Sequence, residues 1–586
     1  QIEKEILTEM KLILRFLKPH WKMCLLTVFL LFVDVVGALI IPTFAAELMN
    51  EAERGVEFNT LVITAVLMGV AALIAGAASI GSVFAAADLT AIVGADMRDA
   101  LYKKSLELAV SDFRTFGTAS VTTRTVSDIT NIQTALINTI MLVLPVPLVF
   151  ILSIVMAFIL DWAMGLILLG ILIIIMIIAV FIIKSSSPLF RKLQKLLDKM
   201  SSVLLENITG VRVVRAFNNE EREERRMDDA FSGYAVTSIK ANRRFALLDG
   251  ISFFAINILI ILVYALSGFR ISAGVFEVGD ITAIIEYAMF ALFYLMMAQM
   301  VILTLPRALE CCERIRSVLD FSPTIADNVV SPVQLDERSD NVLKFERVAF
   351  RFADADEYTL RKLNFACRRG QTTAIIGGTG SGKSTVASLM LRFNDVTEGR
   401  VLFNGVDIRR MPQYQLRDNI AYVQQRAWLF SGTIAENLRY GNENATDEEL
   451  WHALEVAQAA DFVKKLPEGL NSFVAQGGTN FSGGQKQRLS IARALVKKPQ
   501  LYIFDDSFSA LDFKTDAALR HALAYETQDA AVVIIAQRVS TIRHAEQIIV
   551  LNEGEPVGVG THEELMDNCS VYREIYKSQT KEEDEQ

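Results

Sequence analysis

Cysteine is scarce in this 586-residue chain, and basic residues are not in excess. The five cysteines form no CxxC pair and follow no framework spacing, which argues against a zinc site and against a disulfide scaffold. Lysine and arginine total 58 against 67 aspartates and glutamates, a net charge of −9. This balance argues against the basic surface on which nucleic-acid binding depends, so no nucleic-acid partner is expected.

Charged residues make up only 21% of the chain, whereas hydrophobic residues make up 52% and concentrate in its first half. Six mostly apolar runs are each long enough to cross a hydrocarbon core of roughly 30 Å. They begin near Met23, Leu61, Ala135, Ala163, Ile251 and Ile281. We therefore expect an integral, multi-pass protein in contact with the lipid bilayer. The amphipathic stretch Ile2–Phe16 is expected to lie along the cytosolic membrane surface and not to be a cleavable signal.

Lysine and arginine are distributed unevenly among the segments that join these runs. The segments after the second and fourth runs are long and basic, whereas the breaks at 161–162 and 270–280 are short and poor in basic residues. The positive-inside rule places the basic segments in the cytosol, together with both termini. Helical periodicity continues into both segments, so we expect the helices to extend beyond the bilayer.

Two carboxylates fall within the apolar runs. Asp34 follows Lys22 by about 12 residues, or roughly 18 Å along a helix, which places it near mid-membrane. Glu286 lies near the start of the sixth run, where its side chain can reach the interface. Because a charge in lipid is costly, both are candidates for substrate contact. A hydrogen bond between helices is the alternative role for Asp34.

From about Val342 onward, short β-rich runs alternate with helical stretches, which predicts an α/β domain with a largely parallel sheet. The polar stretch Pro323–Asn341 marks the boundary before it. The predicted organisation is an N-terminal segment 1–20, a transmembrane domain 21–310, a linker 311–341, an α/β domain 342–578 and a charged tail 579–586.

Residues 377–385 read GGTGSGKST and fit the phosphate-binding pattern GxxxxGK[ST], after a strand-like run and before a helix-like one. Glycines allow backbone N–H groups and the helix N-terminus to approach a phosphate closely. Lys383 supplies a positive charge for the β- and γ-phosphates, and Ser384 a hydroxyl for Mg²⁺. The candidate nucleotide-binding residues of this P-loop are Gly377, Gly378, Thr379, Gly380, Ser381, Gly382, Lys383, Ser384 and Thr385.

Two further elements fit nucleotide chemistry. Leu501–Asp505 is an apolar strand that ends in an acid, an arrangement that delivers a carboxylate to Mg²⁺. Ser482, Gly483, Gly484 and Gln485 open a helix-like run and provide a second helix N-terminus suited to phosphate. ATP and Mg²⁺ are therefore the expected cofactors. The fold class is an all-α membrane domain of six helices joined to a cytosolic α/β P-loop NTPase domain.

The order P-loop, Gln425, Ser-Gly-Gly-Gln, acidic strand and Ser509–Asp512 resembles the nucleotide-binding domain of the ABC transporter superfamily. Six spans before one such domain resemble the half-transporter layout of exporters and multidrug pumps. The resemblance implies that Gln425 contacts Mg²⁺ and that Ser482–Gln485 is the signature that caps ATP. It also implies a head-to-tail dimer, in which each chain's signature completes the P-loop site of the other.

Four positions depart from the family's pattern. Asp506 stands where a glutamate normally polarises the attacking water, and Gln537 replaces a histidine. Phe352 replaces the tyrosine that stacks on adenine, and Gln476 stands where exporters often carry a glutamate before the signature. A carboxylate one methylene shorter is withdrawn by about 1 Å, and such a misplacement can cost about 10²-fold in rate. An amide at 537 cannot become cationic or shuttle a proton. Asp506 and Gln537 are therefore the candidate catalytic residues of a site that should hydrolyse slowly.

The phosphate-binding residues and the signature are intact beside these changes, which favours a heterodimer whose partner half-transporter supplies the missing glutamate and histidine. A homodimer with tolerated substitutions is the alternative. The expected function is ATP-driven export of hydrophobic or amphipathic small molecules, of multidrug type, across a bacterial cytoplasmic membrane. A lipid flippase, a peptide exporter and an ATP-binding regulatory or channel subunit are the other hypotheses.

Overall fold

The computed structural model describes residues 2–272, 276–299, 301–327, 331–336 and 339–584. The chain divides into two compact units. The first comprises Gln1–Leu106 and Phe116–Phe321, and the second comprises Glu107–Thr115 and Ser322–Gln586. The short segment Glu107–Thr115, which lies between two spans in sequence, thus belongs with the α/β unit.

Helices occupy almost all of the first unit. The helices between residues 2 and 319, of which α4 lies almost wholly in the Glu107–Thr115 segment of the second unit, are α1 (Ile2–Leu17), α2 (Trp21–Arg54), α3 (Phe58–Glu107), α4 (Asp112–Phe116), α5 (Thr118–Thr123), α6 (Ile129–Asn138), α7 (Pro145–Leu160), α8 (Trp162–Thr209), α9 (Val211–Ala216), α10 (Glu220–Ser272), α11 (Val278–Gln299) and α12 (Val301–Leu319). Two π-helical turns, Arg124–Asp128 and Thr139–Val143, join α5, α6 and α7 into one rod.

Among the described residues, six helical segments are long and apolar enough to span a membrane, which confirms the predicted membrane domain. They are Met10–Arg54, Phe58–Glu107, Thr118–Leu160, Trp162–Ile182, Gly250–Ser272 and Val278–Ala298. Small residues allow close helix packing: a Cβ added to Gly37 of α2 would lie 2.5 Å from Cβ of Ala75 on α3. Large apolar side chains such as Phe84 and Phe269 are exposed, as expected on surfaces that face lipid.

Asp161 fixes the turn between the third and fourth spans. Its Oδ1 accepts hydrogen bonds from the backbone N–H groups of Ala163 and Met164, at 2.9 and 3.0 Å, and so caps α8. Its Oδ2 accepts a hydrogen bond from the guanidinium of Arg270, near the end of α10. The residue is only 6% exposed, so both partners compensate for burying its charge.

Twelve strands are found among the described residues of the second unit. They are β1 (Asn341–Phe350), β2 (Leu360–Arg368), β3 (Thr372–Gly377), β4 (Glu398–Phe403), β5 (Val406–Asp407), β6 (Ile420–Val423), β7 (Gly432–Thr433), β8 (Phe473–Val474), β9 (Leu501–Asp505), β10 (Ala531–Ala536), β11 (Gln547–Asn552) and β12 (Glu555–Gly560). The main sheet has the order β12-β11-β3-β10-β9-β6, and a smaller sheet has the order β2-β1-β4-β5.

Helices surround these sheets. They are α13 (Lys383–Met390), α14 (Gln413–Asp418), α15 (Ile434–Arg439), α16 (Asp447–Val456), α17 (Ala460–Lys464), α18 (Gly483–Lys497), α19 (Phe513–Glu526), α20 (Val539–Ile542), α21 (His562–Asn568) and α22 (Ser570–Asp584). The predicted α/β domain is thereby confirmed.

The central strands of the main sheet pair in parallel, and β3, β9 and β10 are nearly continuous runs of buried apolar residues. Such runs are typical of parallel strands covered on both faces. Because the carboxyl ends of parallel strands meet at one edge of the sheet, the segments that follow β3, β6, β9 and β10 lie together. These segments carry the P-loop, Gln425, Asp506 and Gln537.

We expect Asp161→Ala to lower the free energy of unfolding by roughly 2–4 kcal/mol, because it removes the cap of α8 and leaves Arg270 without its carboxylate. Thermal unfolding of the purified protein in detergent measures the change. Asp99→Ala is the control, since Asp99 forms a solvent-exposed pair with Lys103 at 2.7 Å, and such pairs contribute little to stability. Equal shifts in the two variants would contradict this role for Asp161.

Candidate functional site

The P-loop links β3 to α13 through backbone conformations that only glycine adopts readily. Gly380 and Gly382 have φ values of +83° and +92°, and a Cβ on Gly377 would lie 2.2 Å from the carbonyl oxygen of Leu551. The ammonium of Lys383 donates hydrogen bonds of 2.7 Å to the carbonyl oxygens of Gly377 and Gly378. The loop is therefore folded tightly around its own lysine at the start of a helix.

Positive charge and N–H donors converge at this loop, which suits it to an anion. Burial lowers the pKa of Lys383, while the nearby carboxylates of Asp505 and Asp506 oppose that shift. The hydroxyl of Ser381 is buried and has no hydrogen-bond partner among the described residues, so it is an available donor. These features fit the phosphates of a nucleotide.

Oxygen ligands suited to Mg²⁺ lie beside the P-loop. The hydroxyl of Ser384 donates to Oδ1 of Asp505 at 3.3 Å, and that of Tyr422 donates to Oδ2 at 3.1 Å. Burial is the main cause that raises the pKa of Asp505, and the neighbouring Asp506 adds to it. Within the described residues, no group of three or more His, Cys, Asp or Glu side chains could hold a metal ion. The pair Ser384 and Asp505 instead fits an ion shared with phosphate oxygens.

Asp506 receives two side-chain amides. Nε2 of Gln425, after β6, and Nε2 of Gln537, after β10, donate to the same oxygen, Oδ2, at 3.0 and 2.9 Å. The backbone N–H of Asp506 also donates to the carbonyl of Ile535 at 2.8 Å, and its φ is +48°. Three residues singled out separately in the sequence are thus in direct contact.

The signature forms the start of α18. Ser482 and Gln485 make a reciprocal capping box: the N–H of Gln485 donates to the Ser482 hydroxyl at 3.3 Å, and the N–H of Ser482 donates to Oε1 of Gln485 at 3.0 Å. Ser482 and Gly483 are exposed, and Gly484 lies against Ala510. Among the described residues, no hydrogen bond joins the signature to the P-loop.

Phe352 follows β1 and is half-buried. Its ring meets that of Phe350 edge to face, with centroids 4.8 Å apart. The guanidinium carbon of Arg114 lies 4.9 Å from the Phe352 centroid. Arg114 belongs to α4, and both residues are part of the second unit.

The two acids of the membrane unit lie on different helices. Asp34 is half-buried on α2 and lies close to Ser79 on α3. Glu286 is half-buried on α11, next to Tyr287, whose hydroxyl is 2.7 Å from that of Thr43. No hydrogen bond between described residues connects Asp34 with Glu286.

Sequence reasoning missed Tyr422, Gln487 and Arg114. Gln487 is buried in α18 and donates to the carbonyl of Gln424 at 3.1 Å, which ties the signature helix to the segment that carries Gln425. The sequence signal for Gln487 was its polar side chain at a position on the buried face of α18. Tyr422 precedes Gln425 by three residues on β6, the strand beside β9, which was its signal.

Comparison with known families matches both units. Residues 24–296 match the ABC transporter transmembrane region, and residues 360–509 match the ABC transporter domain. An uncharacterized ABC transporter ATP-binding protein of Mycobacterium tuberculosis is 36% identical over 97% of this chain and 98% of its own length. The chain belongs to the ABC transporter family. It is a half-transporter, with one transmembrane domain and one ATP-binding domain, and the ABC ATPase domain makes it an ATP-hydrolysing transporter.

Other relatives carry functional names. An ATP-dependent lipid A-core flippase of Chromobacterium violaceum is 32% identical over 67% of this chain and 66% of its own length. A probable multidrug resistance ABC transporter of Bacillus subtilis is 32% identical over the same shares. The solved structure of a bacterial Atm1-family ABC exporter with ATP bound has a TM-score of 0.80 and 26% identity, covering 95% of this chain and 98% of that one. The ABC half-transporter therefore has an exporter fold.

We expect Lys383→Ala to weaken ATP binding by about 1.5–3 kcal/mol, because it removes a charge-assisted contact to phosphate. Photolabelling of this chain with 2-azido-ATP measures the affinity. Lys344→Ala is the control, since it removes a lysine from a half-buried pair with Glu346. Unchanged labelling of the Lys383 variant would show that the P-loop assignment is wrong.

Proposed function

We propose that this chain is one subunit of a heterodimeric ABC exporter that binds Mg²⁺ and ATP at its own P-loop but hydrolyses ATP chiefly at the partner's P-loop. The partner's site would be completed by Ser482–Gln485 of this chain. One observation carries the proposal: the residues suited to phosphate and Mg²⁺ are complete, while the residues that would activate water are altered and bonded to each other.

ATP binding at this chain's site follows from the groups around the P-loop. Residues 377–385 offer backbone donors, Lys383 offers charge, and Ser384, Asp505 and Gln425 are the proposed Mg²⁺ ligands. A Mg²⁺ ion held by these residues would supply positive charge that offsets the charge developing on the phosphates. Phe352 is proposed as the ring on which adenine stacks.

Slow hydrolysis at the same site follows from Asp506 and Gln537. The aspartate is one methylene shorter than the usual glutamate, and a misplacement of about 1 Å can cost about 10²-fold in rate. Its Oδ2 already accepts two amide N–H groups, which leaves that oxygen little capacity to accept a proton from water. Gln537 uses a donor on Asp506, and an amide cannot shuttle a proton.

The signature supports the dimeric part of the proposal. Ser482 and Gly483 are exposed at the N-terminus of a fifteen-residue helix, where the helix dipole favours a phosphate from another chain. A homodimer would contain two altered sites and no intact one. We therefore favour a partner half-transporter that carries the glutamate and the histidine.

For the cargo we propose hydrophobic or amphipathic compounds of multidrug type, in line with the name of the Bacillus subtilis relative. Asp34 and Glu286 are the proposed substrate-contacting acids, because ionisable groups within a membrane mark substrate or ion pathways. The proposed orientation puts both termini and the ATPase domain in the cytosol of a bacterial cell, as the distribution of basic residues suggests. The proposed domain boundaries are those given by the sequence.

Lipid translocation is the second candidate, favoured by the similarity to a lipid A-core flippase. Proteoliposomes that contain the complex distinguish the two candidates. Uptake of a cationic dye that labelled lipid does not inhibit supports the multidrug function, whereas ATP-dependent movement of labelled lipid without dye uptake supports the flippase.

We expect Ser482→Arg to abolish most ATPase activity of the complex. The substitution places a bulky cation where this chain's signature would contact ATP bound at the partner's P-loop. Asp506→Ala should reduce activity only modestly, since it affects a site that already turns over slowly. Steady-state ATPase activity of the complex, purified from its native membrane through a tag on this chain, measures both. Equal losses would contradict the asymmetric model and favour a homodimer.

We expect Asp34→Asn to change the range or affinity of transported cations and to leave basal ATPase activity within a few-fold of normal, because it removes the charge and keeps the shape. Transport of a cationic and a neutral dye in proteoliposomes measures the effect. Asp88→Asn is the control, as Asp88 is exposed on α3. Loss of folding or expression in the Asp34 variant alone would indicate a structural role instead.

A further inference from the structure

Arg114 covers the ring that we propose as the adenine platform. Phe352 packs against the buried core of the second unit through Phe350, and it is only half-buried itself. Arg114 is exposed, and its guanidinium lies over the ring at 4.9 Å from the centroid. The arginine therefore lies on the solvent-accessible side of Phe352, the side from which a base would approach.

The segment that carries Arg114 is anchored separately. The carboxylate of Asp112 is 2% exposed and accepts hydrogen bonds from the N–H of Ala109 at 2.9 Å and from the N–H of Thr324 at 3.2 Å. The hydroxyl of Thr324 donates to Oδ1 of Asp112. This buried anchor contrasts with the exposed contact of Arg114, for which no ion pair is found among the described residues.

The two possible occupants of the ring differ in strength. A solvent-exposed cation over a phenylalanine ring is attracted weakly, whereas a base that stacks on an aromatic ring contributes more and is aided here by the phosphates at the P-loop. One face of a ring accommodates one of them at a time. ATP should therefore displace the guanidinium while Asp112 keeps the segment attached.

We propose that Arg114 and the adenine of ATP compete for the same face of Phe352, so that nucleotide binding releases the Arg114 contact of the inter-span segment Glu107–Thr115. The proposal rests on the assignment of Phe352 as the adenine platform. By mass action, a change in this segment that strengthens the Arg114 contact must weaken ATP binding, by at most the same factor.

Binding of 2-azido-ATP to this chain, in the complex in lipid nanodiscs without Mg²⁺, tests the competition. We expect Arg114→Ala to tighten binding about two- to five-fold, the size of one exposed cation–π contact. Inorganic tripolyphosphate, tested as a competitor of that labelling, should bind equally well to both proteins, because it has no base. Lys464→Ala, which removes a cation 5.5 Å from the Trp451 ring, is the matched control and should change nothing.

Unchanged or weaker ATP binding in Arg114→Ala would overturn the proposal. Phe352→Leu separates this failure from that of the platform itself. If Phe352→Leu weakens ATP binding and Arg114→Ala has no further effect in that background, both ideas stand. If Phe352→Leu leaves ATP binding unchanged, the platform assignment fails and the competition fails with it.

Discussion

Parallel pairing of β3, β10, β9 and β6 is the constraint on which the ATPase unit depends. Each of these apolar strands is followed by a polar segment. Because the strands run in the same direction, the four polar segments lie at one edge of the sheet. The P-loop, the Asp505–Asp506 pair, Gln537 and Gln425 are distant in sequence and become neighbours only through this sheet. A change that shifted the register of any of these strands would move a phosphate-binding or water-activating group from its place.

The contacts of Asp506 give this edge an unusual chemical balance. The groups that we propose to bind phosphate are all present, but Gln425 and Gln537 donate to one oxygen of Asp506. The family resemblance implies a glutamate in place of Asp506 and a histidine in place of Gln537. ATP that binds but is rarely hydrolysed would hold one edge of a dimer closed while the other edge opens in each cycle. In that case the signature of this chain completes the site where ATP is hydrolysed. Its own P-loop holds ATP that keeps the dimer together.

Much of the architecture could be predicted because it depends on local patterns. Long apolar runs indicated the spans, and the P-loop spacing with the acidic strand Leu501–Asp505 indicated the α/β domain. Other features depend on approaches between distant segments that no local pattern records. These include the membership of Glu107–Thr115 in the ATPase unit, the Arg270 pair of Asp161, and the meeting of Gln425 and Gln537 on one oxygen of Asp506.

The fate of ATP at each site tests the asymmetric account most directly. The complex can be allowed to turn over 2-azido-ATP labelled on both the α- and γ-phosphates, then irradiated and separated into its subunits. The account predicts that nucleotide bound at this chain's P-loop retains both labels in nearly equal amounts, while nucleotide at the partner's P-loop has lost the γ label. Equal loss of the γ label at the two sites would contradict it.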